Sequence, residues 1–207
     1  MNRLARYWYR YRLRHSPYRA LFLPPDKRTL ISLDCETTSL DPAHAELVTI
    51  AATPIKGHRI MTSQALTLTL AAPESLSAGS VRIHQMRHQD LAQGVSAKQA
   101  MISLIHFIGN HPLVGYHIRY DKSILDRYSR QYLGFPLPNP LIEVSDIYQR
   151  KLERLLPNAY HDISIEAISR HLDLPLPARH DALDDALAAA LIYVRLTQGE
   201  MPIPQSR

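Results

Sequence analysis

Asp34 and Glu36 stand two residues apart at the end of the apolar run Leu30-Ile31-Ser32-Leu33. In an extended strand alternate side chains share a face, so both carboxylates point one way and Cys35 points the other. Two like charges held side by side repel, and a divalent cation with oxygen ligands is their simplest counterion. Asp-x-Glu also recurs by chance at solvated strand ends, so the pair gains meaning only with further acids. Two downstream segments supply them. Residues 112 to 121 read Pro-Leu-Val-Gly-Tyr-His-Ile-Arg-Tyr-Asp, an apolar strand that breaks at Gly115 and leads to Asp121. Residues 180 to 186 read His-Asp-Ala-Leu-Asp-Asp-Ala and pass directly into an Ala- and Leu-rich stretch of strong helical composition. Taken singly, each has a structural reading: Asp121 as a helix cap, Asp181, Asp184 and Asp185 as acids favoured at a helix N-terminus, His180 as a surface histidine.

In order, spacing and flanking strands, these segments resemble the three motifs of the DEDDh family of 3′→5′ exonucleases, and look most like its polymerase-proofreading group. The family motifs read Asp-x-Glu-Thr-Thr, an Asp after a Gly-His-Asn-type turn, and His-x-Ala-x-x-Asp-Ala. The resemblance spans residues 29 to 197. It implies two divalent cations, Mg²⁺ or Mn²⁺, held by Asp34, Glu36, Asp121 and Asp185, with Asp34 shared between them. It further implies His180 as general base and Thr37, Thr38 and His84 near the substrate. Asp185 is taken as the ligand because it alone fits the last motif; Asp181, one turn earlier on nearly the same face, is its rival. The implied activity is release of nucleoside 5′-monophosphates from the 3′ ends of DNA. The alternatives are the same chemistry on RNA or short oligoribonucleotides, and a non-catalytic polymerase- or nucleic-acid-binding module. The chain departs from the family pattern at Ser39, where Gly is common, at Tyr116-His117 in place of His-Asn, at Tyr120 in place of Phe, and at Gln85 after His84. These departures spare every implied ligand and bear on substrate fit.

Several elements must position these residues. Residues 29 to 35 read as a first strand, and 46 to 55 and 60 to 70 as two more joined by a turn at Lys56-Gly57-His58. Ser96 is placed to cap a helix reaching Asn110. A strand at 112 to 116 leads into a helix at about 122 to 133, then a short strand at 141 to 144 and helices at 147 to 155 and 164 to 171. The last helix begins near His180 or Asp181. The pattern predicts an α/β fold of the ribonuclease H-like type, with a mixed five-stranded sheet flanked by helices. The resemblance implies one exonuclease domain over residues 29 to 197, with residues 1 to 28 expected as a basic extension and 198 to 207 as a tail.

With 45% apolar and 21% charged residues over 207 positions, composition is that of an ordinary globular chain. One cysteine excludes an internal disulfide and a thiolate zinc cluster, which points to a reducing, cytoplasmic setting; no transmembrane span is expected. The 24 basic and 19 acidic residues give a net charge of +5, so the basic residues are expected around an acidic cleft, suiting a polyanionic, single-stranded substrate. On a helical wheel the extension sets Arg3, Arg6, Arg10 and Arg14 against Leu4, Trp8 and Tyr11. Its readings are a charged outer face over an aromatic stripe that packs on the domain, nucleic-acid contact, docking to a polymerase, another protein or a membrane surface, or a transit peptide, though one short of the expected serines.

Overall fold

The computed structural model describes residues 1–72, 91, 93–157, 160–176, 181–199 and 201–202. Strand β1 (Thr29–Thr37) lies between antiparallel β2 (Leu47–Lys56) and parallel β5 (Leu113–Gly115), and β6 (Leu141–Glu143) continues the parallel edge. On the far side β2 pairs with two short strands, β3 (Arg59–Ile60) and β4 (Leu66–Thr69), making six strands in all.

The sixth strand arises because the segment expected as one strand over residues 60 to 70 splits at a 3-10 turn, Thr62–Gln64. Pro54 explains the break. Its β1 partner Ile31 sends its N–H to the Pro112 carbonyl, away from β2, so at this pair the ladder bonds point outward. The position on β2 that should donate to the outer neighbour is therefore the proline, which has no N–H. Only its carbonyl is used, by the Met61 N–H at 2.8 Å.

Strand alternation divides the core. Ile31, Leu33 and Cys35 face helices α2 (Ala97–Ile108) and α3 (Ile118–Leu133), where Met101, Leu104, Ile118 and Leu125 meet them. Leu30 and Val114 face the other way, onto α4 (Val144–Leu155), α5 (Ile165–His171) and α6 (Ala182–Thr197) through Val144, Ile168 and Ile192. Ser96 caps α2 in a capping box with Gln99, as the sequence predicts, and Ser164 caps α5. Among the described residues no helix is long and apolar enough to cross a membrane.

The N-terminal helix α1 (Arg3–Arg12) packs by the face not expected to pack. Tyr9 stacks on Phe22, which lies edge-on to Phe135, and Leu13 joins the same core. Arg6 donates to the carbonyls of Leu23 and Pro138. Leu4, Trp8 and Tyr11 are exposed, so the expectation that this stripe packs on the domain is corrected. Two carbonyls left open near Phe22 bind a guanidinium better than an apolar side chain, and that turns the helix over.

Candidate active site

The site lies at the carboxyl ends of the parallel strands, where ligands gather in open α/β sheets. β1 outruns β5: its parallel pairing is recorded as far as Ser32 with Val114, while β1 itself continues to Thr37. Alternation puts Asp34 and Glu36 on the α6 face, as the sequence predicts. Directly beneath them Ser32 donates to the Ala186 carbonyl at 2.7 Å, and the small, buried Ala182, Ala186 and Ala189 let α6 come close to the sheet. Asp185 then meets the strand: Asp34, Glu36 and Asp185 each offer a carboxylate oxygen within 4.8 Å of the other two.

Asp121 arrives from the opposite face. It sits in the first turn of α3, which starts at Ile118, four residues earlier than the sequence indicated. His117 precedes that turn in the left-handed region (φ 56°), and its N–H is held by the buried Glu143 carboxylate at 3.0 Å. Gly115 makes this approach possible, since a Cβ there would lie 2.9 Å from the Leu33 carbonyl oxygen and from Ile118. Where β5 stops, the freed Cys35 N–H reaches the Asp121 carboxylate.

The electrostatics record four acids at close quarters. Burial first, then Asp121, Asp185 and Glu36, raise the Asp34 carboxyl well above its ordinary range. Burial, then Asp185 and Asp181, push Glu36 up to about 7, and Asp181 adds a smaller push on Asp34. Asp121, only 4% exposed, is pushed up to about 8 by burial, against the pull of backbone N–H groups. Burial and the same carboxylates also raise the Cys35 thiol, which packs in the core as expected. Carboxylates forced together and short of cations are hard oxygen donors of the kind Mg²⁺ and Mn²⁺ take, so the residues fit such ions.

Asp181, the rival ligand, is the N-cap of α6: its carboxylate accepts from the N–H groups of Leu183 and Asp184 at 2.9 and 3.1 Å. The Thr37 hydroxyl bonds to the Tyr120 hydroxyl at 2.7 Å and to the Ser39 carbonyl at 3.1 Å, and Thr38 accepts from the Glu46 N–H at 3.1 Å. Tyr120, where the family has Phe, thus uses its hydroxyl to tie down the loop after β1. Tyr116 is likewise committed, donating to the Ile163 carbonyl at 3.2 Å. His180 and His84 lie outside the described residues. Glu143 and Ser32 are supporting residues missed in the sequence. An acid within Leu-Ile-Glu-Val, in an otherwise apolar stretch, was the available signal for Glu143.

Comparison with known proteins gives a match to the RNase T exonuclease family over residues 31–193. The DNA polymerase III subunit epsilon of Aquifex aeolicus is 22% identical over 173 residues, covering 82% of this chain and 81% of that one. The PolC-type DNA polymerase III of Thermotoga maritima is 25% identical over 171 residues, 82% of this chain but 12% of the polymerase. Among solved structures, cell-death related nuclease 4 superposes with TM-score 0.68 at 18% identity, covering 83% of this chain and 64% of that one. E. coli exonuclease I in complex with a dT13 oligonucleotide gives TM-score 0.68 at 15% identity, over 81% of this chain and 40% of that one. These likenesses establish the ribonuclease H-like exonuclease fold.

Proposed function

The chain belongs to the RNase T exonuclease family, and on that footing we propose that it hydrolyses single-stranded DNA from the 3′ end, releasing nucleoside 5′-monophosphates. The observation that carries this reading is the convergence of Asp34, Glu36 and Asp185 from two elements, with the Asp121 charge pressing on Asp34 from a third. Asp34, Glu36 and Asp185 would hold one divalent cation, and Asp34 with Asp121 a second. Such ions, Mg²⁺ or Mn²⁺, would supply charge neutralisation at the phosphorus and at the leaving oxygen.

The chain's own residues do the rest. His180, one residue before the Asp181 cap, is assigned as general base from its motif position: its imidazole accepts the proton of the attacking water. The turn holding Thr37 and Thr38, tied to Tyr120 and Glu46, is assigned to the terminal nucleotide, with His84 as a further contact. With both hydroxyls in internal bonds, the contacts assigned to this turn fall to backbone amides. DNA is preferred over RNA because the relatives are named as DNA polymerase III proteins and exonuclease I is seen with dT13. The intact carboxylate cluster argues against a purely non-catalytic binding module.

Matched DNA and RNA oligonucleotides, labelled at either end and digested with Mg²⁺, Mn²⁺ or EDTA, test the proposal. Metal-dependent release of mononucleotides from the 3′ end of DNA is expected. Release from the 5′ end, or cleavage undiminished by EDTA, would overturn the polarity or the metal assignment, and faster digestion of RNA would overturn the choice of substrate.

A further inference from the structure

The net positive charge of this chain is concentrated in its N-terminal segment. The first 25 residues contain six arginines and no acid. Removing those six from the 24 basic residues leaves 18 against 19 acidic ones, so the whole surplus belongs to α1 and the segment that follows it. The outward face of α1 is also the largest run of exposed apolar surface among the described residues: Leu4 is 82% exposed, Tyr7 72%, Trp8 52% and Tyr11 63%. Positions 4, 7, 8 and 11 form one helical stripe of the kind that normally seeks a partner. Arg12 lies over the Trp8 ring, 5.2 Å from its centroid, and Arg14 lies 4.8 Å from that of Tyr11.

We propose that this face of α1 binds single-stranded nucleic acid, as an exosite that holds the strand away from the scissile end. Bases stack on ring faces whatever their identity, and guanidinium groups beside those rings meet the phosphates. Charge selects a polyanion. Among polyanions, three rings and a single aliphatic side chain suit stacked bases better than the acyl boundary of a membrane. The helix docks beyond the C-terminal end of α3, through Arg6 to the Pro138 carbonyl, whereas Asp121 is in the first turn of α3. From Asp121 to Leu133 the helix alone runs roughly 18 Å, the length of at least about five stacked nucleotides. The exosite rests on the nuclease reading only in supposing that one strand serves both places.

Trp8 is the single tryptophan of the chain, so its emission reports on this face alone. The full chain in EDTA, where nothing is cut, is titrated with dT4 and dT20. The expected result is saturable quenching by dT20 with at least tenfold weaker binding of dT4. In Arg12→Gln/Arg14→Gln the affinity for dT20 falls and its log–log salt slope flattens by about 0.7 per lost phosphate contact. With Mg²⁺ the KM advantage of dT20 over dT4 shrinks in the same variant. No change in Trp8 emission with dT20 overturns the exosite. So does a response confined to phosphatidylserine vesicles, or one that follows protein concentration alone. Quenching without any digestion would leave the exosite standing and overturn the nuclease reading; digestion without quenching would do the reverse.

Discussion

The Ser32 hydroxyl donates to the Ala186 carbonyl at 2.7 Å across 154 positions of sequence. Ser32 lies two residues before Asp34 on the same strand face, and Ala186 directly follows Asp185, so one buried bond ties the two halves of the carboxylate cluster together. Ser32→Ala removes the bond while leaving every candidate ligand in place. The expected loss is about 1 kcal/mol, or about 2–4 °C in melting temperature for a chain of this size. The stabilisation conferred by Mn²⁺ should fall as well, because Asp185 is no longer held against Asp34. Thermal melts with and without Mn²⁺ check both points; an undiminished Mn²⁺ effect would show that packing of the α6 alanines alone sets the spacing.

The metal-free protein should be more stable in mild acid than at pH 8. Glu36 titrates at about 7 and Asp121 at about 8 in the folded chain, against ordinary values of 4.5 and 3.8. Each therefore binds its proton more tightly folded than unfolded. Below both values the two states are equally protonated and nothing is lost; above the folded values the ionised groups repel and destabilise the fold in full. Melting temperature should rise as pH falls from about 8 to about 5, opposite to the behaviour of a carboxylate paired with a cation. Saturating Mg²⁺ should raise the pH 8 value most and flatten the slope. Asp34→Ala should abolish nuclease activity yet melt higher than the metal-free parent at pH 8, since it removes one of the repelling charges.

Gly115→Ala should destabilise the protein by about 1–3 kcal/mol, the usual range for forcing atoms into a close-packed site. The added Cβ would lie 2.9 Å from the Leu33 carbonyl oxygen and from the Cβ and Cδ1 of buried Ile118, and neither a strand carbonyl nor a packed β-branched side chain can swing away. The strain falls between β1 and the start of α3, so metal affinity should drop with stability. Urea unfolding and Mn²⁺ titration of the variant would test this; a stability equal to the parent's would mean that the strand end yields more readily than its burial implies.

The sequence showed most where a pattern is local. Alternation in β1 placed Asp34, Cys35 and Glu36 on their faces, and Ser96, Ser164 and Gly115 marked cap and break through their own chemistry. What it did not show depends on distant partners. Pro54 splits the neighbouring strand only because Ile31 pairs with it in the register whose ladder bonds point outward. The start of α3 moves forward because His117 tolerates a left-handed turn that Glu143, 26 residues on, holds in place. A helical wheel divided α1 into two faces, but Phe22 and the Pro138 carbonyl decided which one is covered. The net charge had a sign readable from composition, and its surplus falls within the first 25 residues, on α1 and the segment that follows it.

Asp181 and Asp185, one turn apart, can be separated by experiment. Asp181 spends its carboxylate on the N–H groups of Leu183 and Asp184, the ordinary work of an N-cap. Asp185 faces Asp34 and Glu36. Asp181→Ala should therefore cost about 1 kcal/mol of stability and leave Mn²⁺ affinity within a few-fold of the parent. Asp185→Asn should do the opposite: it removes a repelling charge, so the metal-free protein melts no lower, while Mn²⁺ affinity falls and activity returns in part only at high Mn²⁺. His180→Ala gives the third pattern, with Mn²⁺ affinity intact and the chemical step slowed by about 10² to 10⁴. Its rate should also lose the rise with pH that a neutral imidazole confers. Calorimetric Mn²⁺ titration, melting curves and single-turnover rates on the three variants distinguish cap, ligand and base. Loss of Mn²⁺ binding in Asp181→Ala with retention in Asp185→Asn would exchange the first two roles.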